Sequence, residues 1–331
     1  MSVPTGQILD QPAGELPEPA PAPRRLSRTG LALTGIATFL LVLAPLLHWY
    51  ALPSLRKTPI DTNSTTVFTG SGTVFDTKVV AVSPVQDLTL TRRVVGNVEQ
   101  SGPTRAVMDI STQIDTAATL ALHDPRQSVQ WTVERWVTDR STNLPVHSHG
   151  ENPVFSGEAY LKFPFGLAKR PYAYWDSTLG GTITLDYQGT ATVNGRTGYR
   201  YGTVLGATKV GTQQVPGKLL GLSDRSQIVA DRYYANGGFS VVVDPVTGTV
   251  MDARTQPLVT LRTSADGPDL LTLLRGDLTM TAESRDGQVR TAQAAARKLD
   301  LVGTTAPIAA GAAGLVCLLV AGFLLRRRSS R

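Results

Sequence analysis

Residues 155–176 (FSGEAYLKFPFGLAKRPYAYWD) bring aromatic rings and cations together in one short stretch of the 331-residue chain. Phe155, Tyr160, Phe163, Phe165, Tyr172, Tyr174 and Trp175 are interleaved there with Lys162, Lys169 and Arg170. Aromatic faces attract cations and offer wide apolar surface, so the mixture suits an amphiphile with an acidic head. The candidate ligand-binding residues are Phe163, Phe165, Lys169, Arg170, Tyr172, Tyr174 and Trp175. Two other readings stay open, a crossing through a packed core and a loop that dips into a membrane interface. His147-Ser148-His149-Gly150-Glu151 is the only run that resembles a metal site. On a strand, positions i, i+2 and i+4 share a face, which would aim two imidazoles and a carboxylate at one cation. Gly150 weakens a strand, and only His123 joins these histidines in the middle of the chain. The run therefore reads as exposed polar loop, and neither a metal nor a cofactor is assigned.

No Gly-x-Ser-x-Gly elbow, Walker loop or His-Glu-x-x-His run is present. Carboxylates such as Asp231 and Asp244 are scattered among turns and form no evident dyad. The chain is expected not to be an enzyme. Its net charge is +6, but much of the excess lies in clusters at the ends. No basic stripe with interleaved aromatics crosses the middle, so no nucleic-acid partner is expected.

The elements that would carry the aromatic stretch are strands. From Pro53 to about Arg285 the chain is rich in Thr and Val, with turn residues every 8–12 positions, the pattern of a mainly antiparallel β domain. Alternation is clear at Thr73–Val79, Leu88–Val95 and Gln130–Val137. Asn194-Gly195 suits a two-residue hairpin turn with positive φ at both positions, and Asn236-Gly237-Gly238 reads the same way. Asp244-Pro245-Val246-Thr247-Gly248 gives the turn an Asp cap, a Pro and a Gly for the left-handed position. Asp139-Arg140-Ser141-Thr142-Asn143 repeats that grammar with Asn in place of Gly. Asp139, Asn143, Asp244 and Gly248 are thus the candidate structural turn residues, with no duplication implied. Residues 286–300 have helix-forming composition and lead, after an expected break at Gly303, into an apolar stretch. Residues 53–66 read as an extended lead into the strands.

Two apolar stretches flank this domain, about Gly30–Leu52 and Thr304–Leu325. Each is long enough to cross a hydrocarbon core of about 30 Å as a helix. Arg24, Arg25 and Arg28 precede the first, and Arg326, Arg327, Arg328 and Arg331 follow the second. Basic flanks tend to stay cytoplasmic, so both termini are expected inside and the middle outside the cytoplasmic membrane. His48, Trp49 and Tyr50 stand where an interfacial aromatic belt would. Gly311 and Gly314 leave a smooth face for close helix packing. The expected organisation is a disordered cytoplasmic tail (1–29), a first span (30–52), an extracytoplasmic β-rich domain ending in a helix (53–303), a second span (304–325) and a basic tail (326–331). The single cysteine, Cys317, lies in the second span, so the domain holds together without disulfides.

The run YLKFPFGLAKRPYAYWDSTLGG, followed by a polar strand, Asn-Gly and Tyr199-Arg200-Tyr201, resembles the actinobacterial family once called DUF3068, labelled the porin PorA family. The Asp139–Thr142 and Val243–Gly248 hairpins and the two flanking spans match it too, so the resemblance covers most of the chain from Gly30. It implies a channel. An outer-membrane barrel, however, is built from strands of about ten residues with an apolar lipid face and has no apolar helix. Two helices alone cannot enclose a water-filled pore. The layout also resembles the CD36-type two-span scavenger receptors in architecture only. The reading preferred from sequence is a double-anchored membrane protein whose outer β domain binds or transfers an envelope component, a lipid or glycolipid. An oligomeric channel and a structural envelope scaffold are the alternatives. The bilayer, such a lipid, further copies of the chain and other envelope proteins are the partners this leaves open.

Overall fold

Thr- and Val-rich alternation produces strands here because branched side chains pack well on a pleated surface and restrict the backbone to it. The computed structural model describes residues 28–329; the tail 1–27, with Arg24 and Arg25, and residues 330–331 lie outside the described residues. The described chain falls into two units, a helix pair (28–44 and 308–329) and residues Pro45–Pro307.

The larger unit is a mainly antiparallel sheet of twelve strands. These are β1 (Asn63–Asp76), β2 (Ala81–Val82), β3 (Gln86–Gly96), β4 (Arg105–Thr116), β5 (Gln130–Asp139) and β6 (Tyr172–Asp176). They continue with β7 (Gly181–Val193), β8 (Arg196–Val215), β9 (Ile228–Val243), β10 (Val250–Thr255), β11 (Pro257–Arg262) and β12 (Leu271–Met280). The order across the sheet is β5-β4-β3-β1-β12-β10-β9-β8-β7-β6, with β2 paired to β1. β11 continues the line of β10 between β12 and β9.

Strands β5 and β6 form the two ends of this order, and unpaired strand edges invite aggregation. Residues 140–171 cover both. Arg135 of β5 bridges Asn152, and Tyr174 of β6 bridges Ala159. The same strap sends aromatic side chains inward, and rings from both end strands meet on them. Phe155 lies 5.3 Å from Trp136 of β5 and 6.0 Å from Trp175 of β6, centroid to centroid. Tyr160 touches Trp136 and Tyr174 in the same way. The sheet is therefore rolled, with its two edges brought together around one aromatic column.

Two turns of the same sequence grammar hold this strap. Asp139 Oδ1 accepts from the backbone N–H groups of Ser141 and Thr142 and from the Thr142 hydroxyl. Asp244 Oδ1 accepts from Val246, Thr247 and the Thr247 hydroxyl in the same pattern. Each turn ends in a left-handed residue, Asn143 at φ 64° and Gly248 at φ 73°. Asn143 then donates its amide to the carbonyls of Glu158 and Lys162, at 3.1 and 2.7 Å. Gly248 accepts at 2.8 Å from the Phe163 N–H, so close that a Cβ there would collide with the Phe163 carbonyl oxygen.

Asn194-Gly195 forms the expected β7–β8 turn, both residues at positive φ. Asn236-Gly237-Gly238 does not turn the chain and lies inside β9. The buried Asn236 side chain accepts from the N–H groups of Gly238 and Gln256 and donates to Thr255 and Tyr234, filling the ladder where β10 gives way to β11. A side chain that supplies the missing backbone bonds lets the strand run through a bulge.

Helix α1 (Arg28–Leu46) continues through a π turn (Leu47–Ala51) into the helical turn α2 (Leu52–Leu55), so residues 53–55 are helical where an extended lead is expected. Helix α3 (Ala117–Leu120) follows β4. Helix α4 (Ala282–Asp300) passes without a break through a second π turn (Leu301–Thr305) into α5 (Ala306–Ser329). Gly303 thus does not interrupt the helix. The π turn releases a carbonyl, and His48 Nδ1 lies 2.9 Å from the Gly303 oxygen while Leu52 packs on the glycine. Among the described residues two helices, Arg28–Leu55 and Ala282–Leu324, are long and apolar enough to cross a membrane. In the helix pair a Cβ on Gly314 would stand 2.9 Å from Leu41 and 3.2 Å from the Ala37 oxygen, a small-residue contact. A Cβ on Gly311 would meet nothing within 4 Å.

The strap grip yields a paired stability test. Gly248→Ala adds a clash to left-handed strain and should cost more than about 3 kcal/mol. Gly195→Ala, at φ 78° with open space around it, carries strain alone, about 1–2 kcal/mol. Thermal unfolding of the detergent-solubilised full chain compares them, and equal losses would disprove the grip.

Candidate functional site

Inside the rolled sheet is a cavity of about 770 Å³. Parity explains its walls. Alternate residues of a strand face one side, so Ser64, Thr66 and Phe68 of β1, Leu90, Arg92 and Val94 of β3, and Met108, Thr112 and Ile114 of β4 all line it. From β5 come Gln130, Thr132 and Trp136, and from the far side of the sheet Tyr234, Phe239, Val241, Val259 and Leu274. The strap closes one side with Tyr160, Leu161, Lys162 and Phe165. Helix α4 supplies Gln288, Thr291, Ala295 and Lys298, while its buried Val289 and Ala292 pack against Val193, Val242 and Met251. Lys57, Thr58 and Pro59 also line it.

The candidate ligand residues divide. Phe165, Tyr174 and Trp175 line the cavity. Phe163 is fully buried in the core beside Tyr172, Tyr174 and Tyr201, and Tyr172 is buried with it. Lys169 and Arg170 are exposed and line no part of the cavity. Arg170 pairs with Glu158 at 2.7 Å and lies over the Tyr172 ring; Lys169 lies near the Tyr187 and Tyr199 rings. The His147–Glu151 run forms a loop in which His147 Nδ1 meets Glu151 Oε1 at 2.8 Å. Among the described residues no group of three or more His, Cys, Asp or Glu side chains is arranged to hold a metal ion.

A polar network borders the cavity. Tyr160 donates to Glu134 at 2.5 Å, Ser177 donates to the same carboxylate at 3.0 Å, and the two hydroxyls are 2.8 Å apart. Tyr234 donates to Asp176 Oδ2 at 3.0 Å. Asp176 Oδ1 caps a third tight turn by accepting from Thr178 and Leu179. Arg92 donates to Thr112 and stands over the Tyr160 ring. Burial opposes its charge, but the hydroxyls of Tyr160 and Tyr174 and the Glu134 carboxylate outweigh that and raise its pKa. Burial likewise raises the Tyr160 and Tyr234 hydroxyls, so both remain protonated donors. Lys162 differs. Burial pushes its ammonium down to about 7, and its contacts are the Thr58 hydroxyl at 3.3 Å and the Phe165 ring at 3.2 Å.

Arg92, Glu134, Ser177, Asp176 and Tyr234 were not distinguished in the sequence. Arg92 could have been found by parity, since Leu88, Leu90, Arg92 and Val94 fall on one face of β3. Glu134 shares its face with Trp136 in the same way. That their side chains meet across separate strands has no local signal.

A family described as Porin PorA matches residues 29–323. The chain belongs to the porin PorA family. A relative named Porin PorA, from Corynebacterium amycolatum, is 23% identical over 384 aligned residues, which cover 91% of this chain and 99% of the relative. In this member of the porin PorA family the cavity lies within the twelve-stranded β unit.

The network has an electrostatic consequence. Arg92→Met removes a positive charge that acts on the buried Glu134 without a direct ion pair, so its cost should lie below the about 3–5 kcal/mol of breaking a buried salt bridge. Adding Glu134→Gln should recover a large part of that loss in chemical denaturation. A double variant no more stable than the single one would show that the two charges do not offset each other.

Proposed function

We propose that this protein is a membrane receptor or carrier for an apolar envelope component, a lipid or glycolipid, held in the cavity of its β domain. The observation that carries this reading is the 770 Å³ cavity itself. It falls within the roughly 300–1,000 Å³ of small-molecule sites, which are mostly apolar with a few placed polar groups. Phe68, Leu90, Met108, Trp136 and Leu274 give the apolar wall, and Arg92, Lys162 and Asp176 the polar points.

In this reading the protein sits in the cytoplasmic membrane with both termini inside and the β domain outside. The two apolar helices support membrane residence. Arg28, Arg326, Arg327 and Arg328 support the orientation, because basic flanks are retained on the cytoplasmic side. The word porin in the family's name points instead to conduction. With two helices per chain, that would require several copies around a shared pore. Purified protein in planar bilayers should be electrically silent; channel currents lost on deletion of residues 306–329 would replace the proposal.

Full-length protein extracted in mild detergent should carry lipid in native mass spectrometry. Thr66→Trp, which fills the cavity without removing an apolar core side chain, should lose it. Absence of lipid from the wild type, or equal loading of both proteins, would rule out the cavity as the binding site. For topology, a Thr212→Cys variant in a Cys317→Ser background should react with an impermeant maleimide on intact cells, and a Ser27→Cys variant should not. The reverse pattern would invert the orientation.

A further inference from the structure

Lys57, Arg92, Lys162 and Lys298 all line the cavity, and the surroundings of Arg92 and Lys162 are not alike. Arg92 has Glu134 and two tyrosine hydroxyls around it and a hydroxyl acceptor in Thr112. Its charge is favoured by these neighbours, which outweigh the cost of burial. Among the described residues Lys162 has no carboxylate partner. Its ammonium meets only the Thr58 hydroxyl and the face of Phe165. Glu158, the nearest acid along the strap, is held by Arg170 in a two-pronged pair. The other charged groups lining the cavity are Lys57, Arg92, Lys298 and Asp176, and Asp176 is engaged by Tyr234 and by its own turn.

An unpaired ammonium inside an apolar wall is costly, and evolution has cheaper residues for packing there. The strap also fixes its place. Asn143 holds the Lys162 carbonyl, Gly248 holds Phe163, and Lys162 bridges Thr249 in the ladder. The side chain is thus presented from backbone that is clamped on both sides, the condition for a site that selects rather than adapts.

We infer that Lys162 is the counter-ion for a ligand's acidic head, so that the cavity selects amphiphiles carrying one anionic group, carboxylate or phosphate, over neutral lipids. This rests on the cavity being a ligand site, as proposed above. Charge balance then gives a pH dependence with a definite sign. Burial places the free ammonium at about 7, and a bound anion raises it. Below that value the lysine is already charged and binds the anion fully. Above it, binding must also take up a proton, so affinity falls as pH rises, by up to roughly tenfold per unit.

The test uses full-length protein in a neutral detergent with two fluorescent probes of one chain length, an alkyl sulfate, anionic throughout, and the matching alcohol. Wild type should prefer the sulfate roughly tenfold or more at about pH 6, the worth of one charge-assisted contact. That preference should shrink by about pH 9. Lys162→Met should keep alcohol binding but lose the preference and its pH dependence. Lys162→Arg should restore the preference without the pH dependence, because arginine stays charged. Competition by a fatty acid and by an alkyl phosphate then distinguishes the two head chemistries. A wild type without preference, or a preference that survives Lys162→Met, overturns the assignment of Lys162 alone. Failure of both probes to bind wild type overturns the cavity reading with it.

Discussion

The grip of two Asp-x-x-Thr turns on one strap is the interaction on which the rest of this domain depends. A sheet whose order runs from β5 to β6 has two free ends, and nothing in backbone pairing alone joins them. The strap joins them by burying its aromatic rings against Trp136 on one side and Tyr174 and Trp175 on the other. Its own backbone is irregular, so its polar groups need partners from elsewhere. Asn143 and Gly248 supply them, because each ends a turn in a left-handed conformation that faces the strap at short range. The Asp caps hold the turns; the turns hold the strap; the strap keeps the sheet rolled.

The cavity follows from that arrangement. The strap's large rings occupy part of the space inside the roll, and α4 lines another part of it. On β1, β3, β4 and β5 the remaining space is walled by alternate residues, several of them threonine and serine rather than leucine or valine. A domain selected only for stability would fill such a volume, since packed interiors leave few voids larger than a water. The charged groups follow the same logic: the charge of Arg92 is favoured from within, while Lys162 is left to be balanced from outside.

The Asp-x-x-Thr-Gly/Asn turns, the Asn194-Gly195 hairpin, the apolar helices and the strands at Leu88–Val95 and Gln130–Val137 were legible because each is a local matter of φ, period or hydropathy. The alternation read to Val79, by contrast, runs past the end of β1 at Asp76 into a turn. Asn236-Gly237-Gly238 misled for an instructive reason. Its residues favour a turn, but the Asn236 side chain reaches β10 and Gln256, partners twenty residues away, and keeps the strand continuous. Gly303 misled likewise, since the carbonyl released by the π turn is taken by His48 from the opposite end of the chain. Tertiary partners override local preference wherever they satisfy what the local conformation leaves open.

For the candidate site the division falls between residue type and residue direction. Composition singled out residues 155–176 as a place where rings and cations meet, and that depends on side-chain chemistry alone. Which of those side chains would face a ligand was undecidable from it, because the strap is not a regular strand and has no parity to read. The fold sends Phe163 and Tyr172 into solid core, leaves Lys169 and Arg170 at the surface, and turns Lys162, Phe165, Tyr174 and Trp175 to the cavity. Sequence determined the apolar helices, the β class and the Asp-capped and Asn-Gly turns, whose causes are local. Only the tertiary structure decided that the two ends of the sheet meet, that a cavity remains between them, and that Lys162 is turned into it against Thr58 and Phe165, because each of these is a relation between residues far apart in the chain.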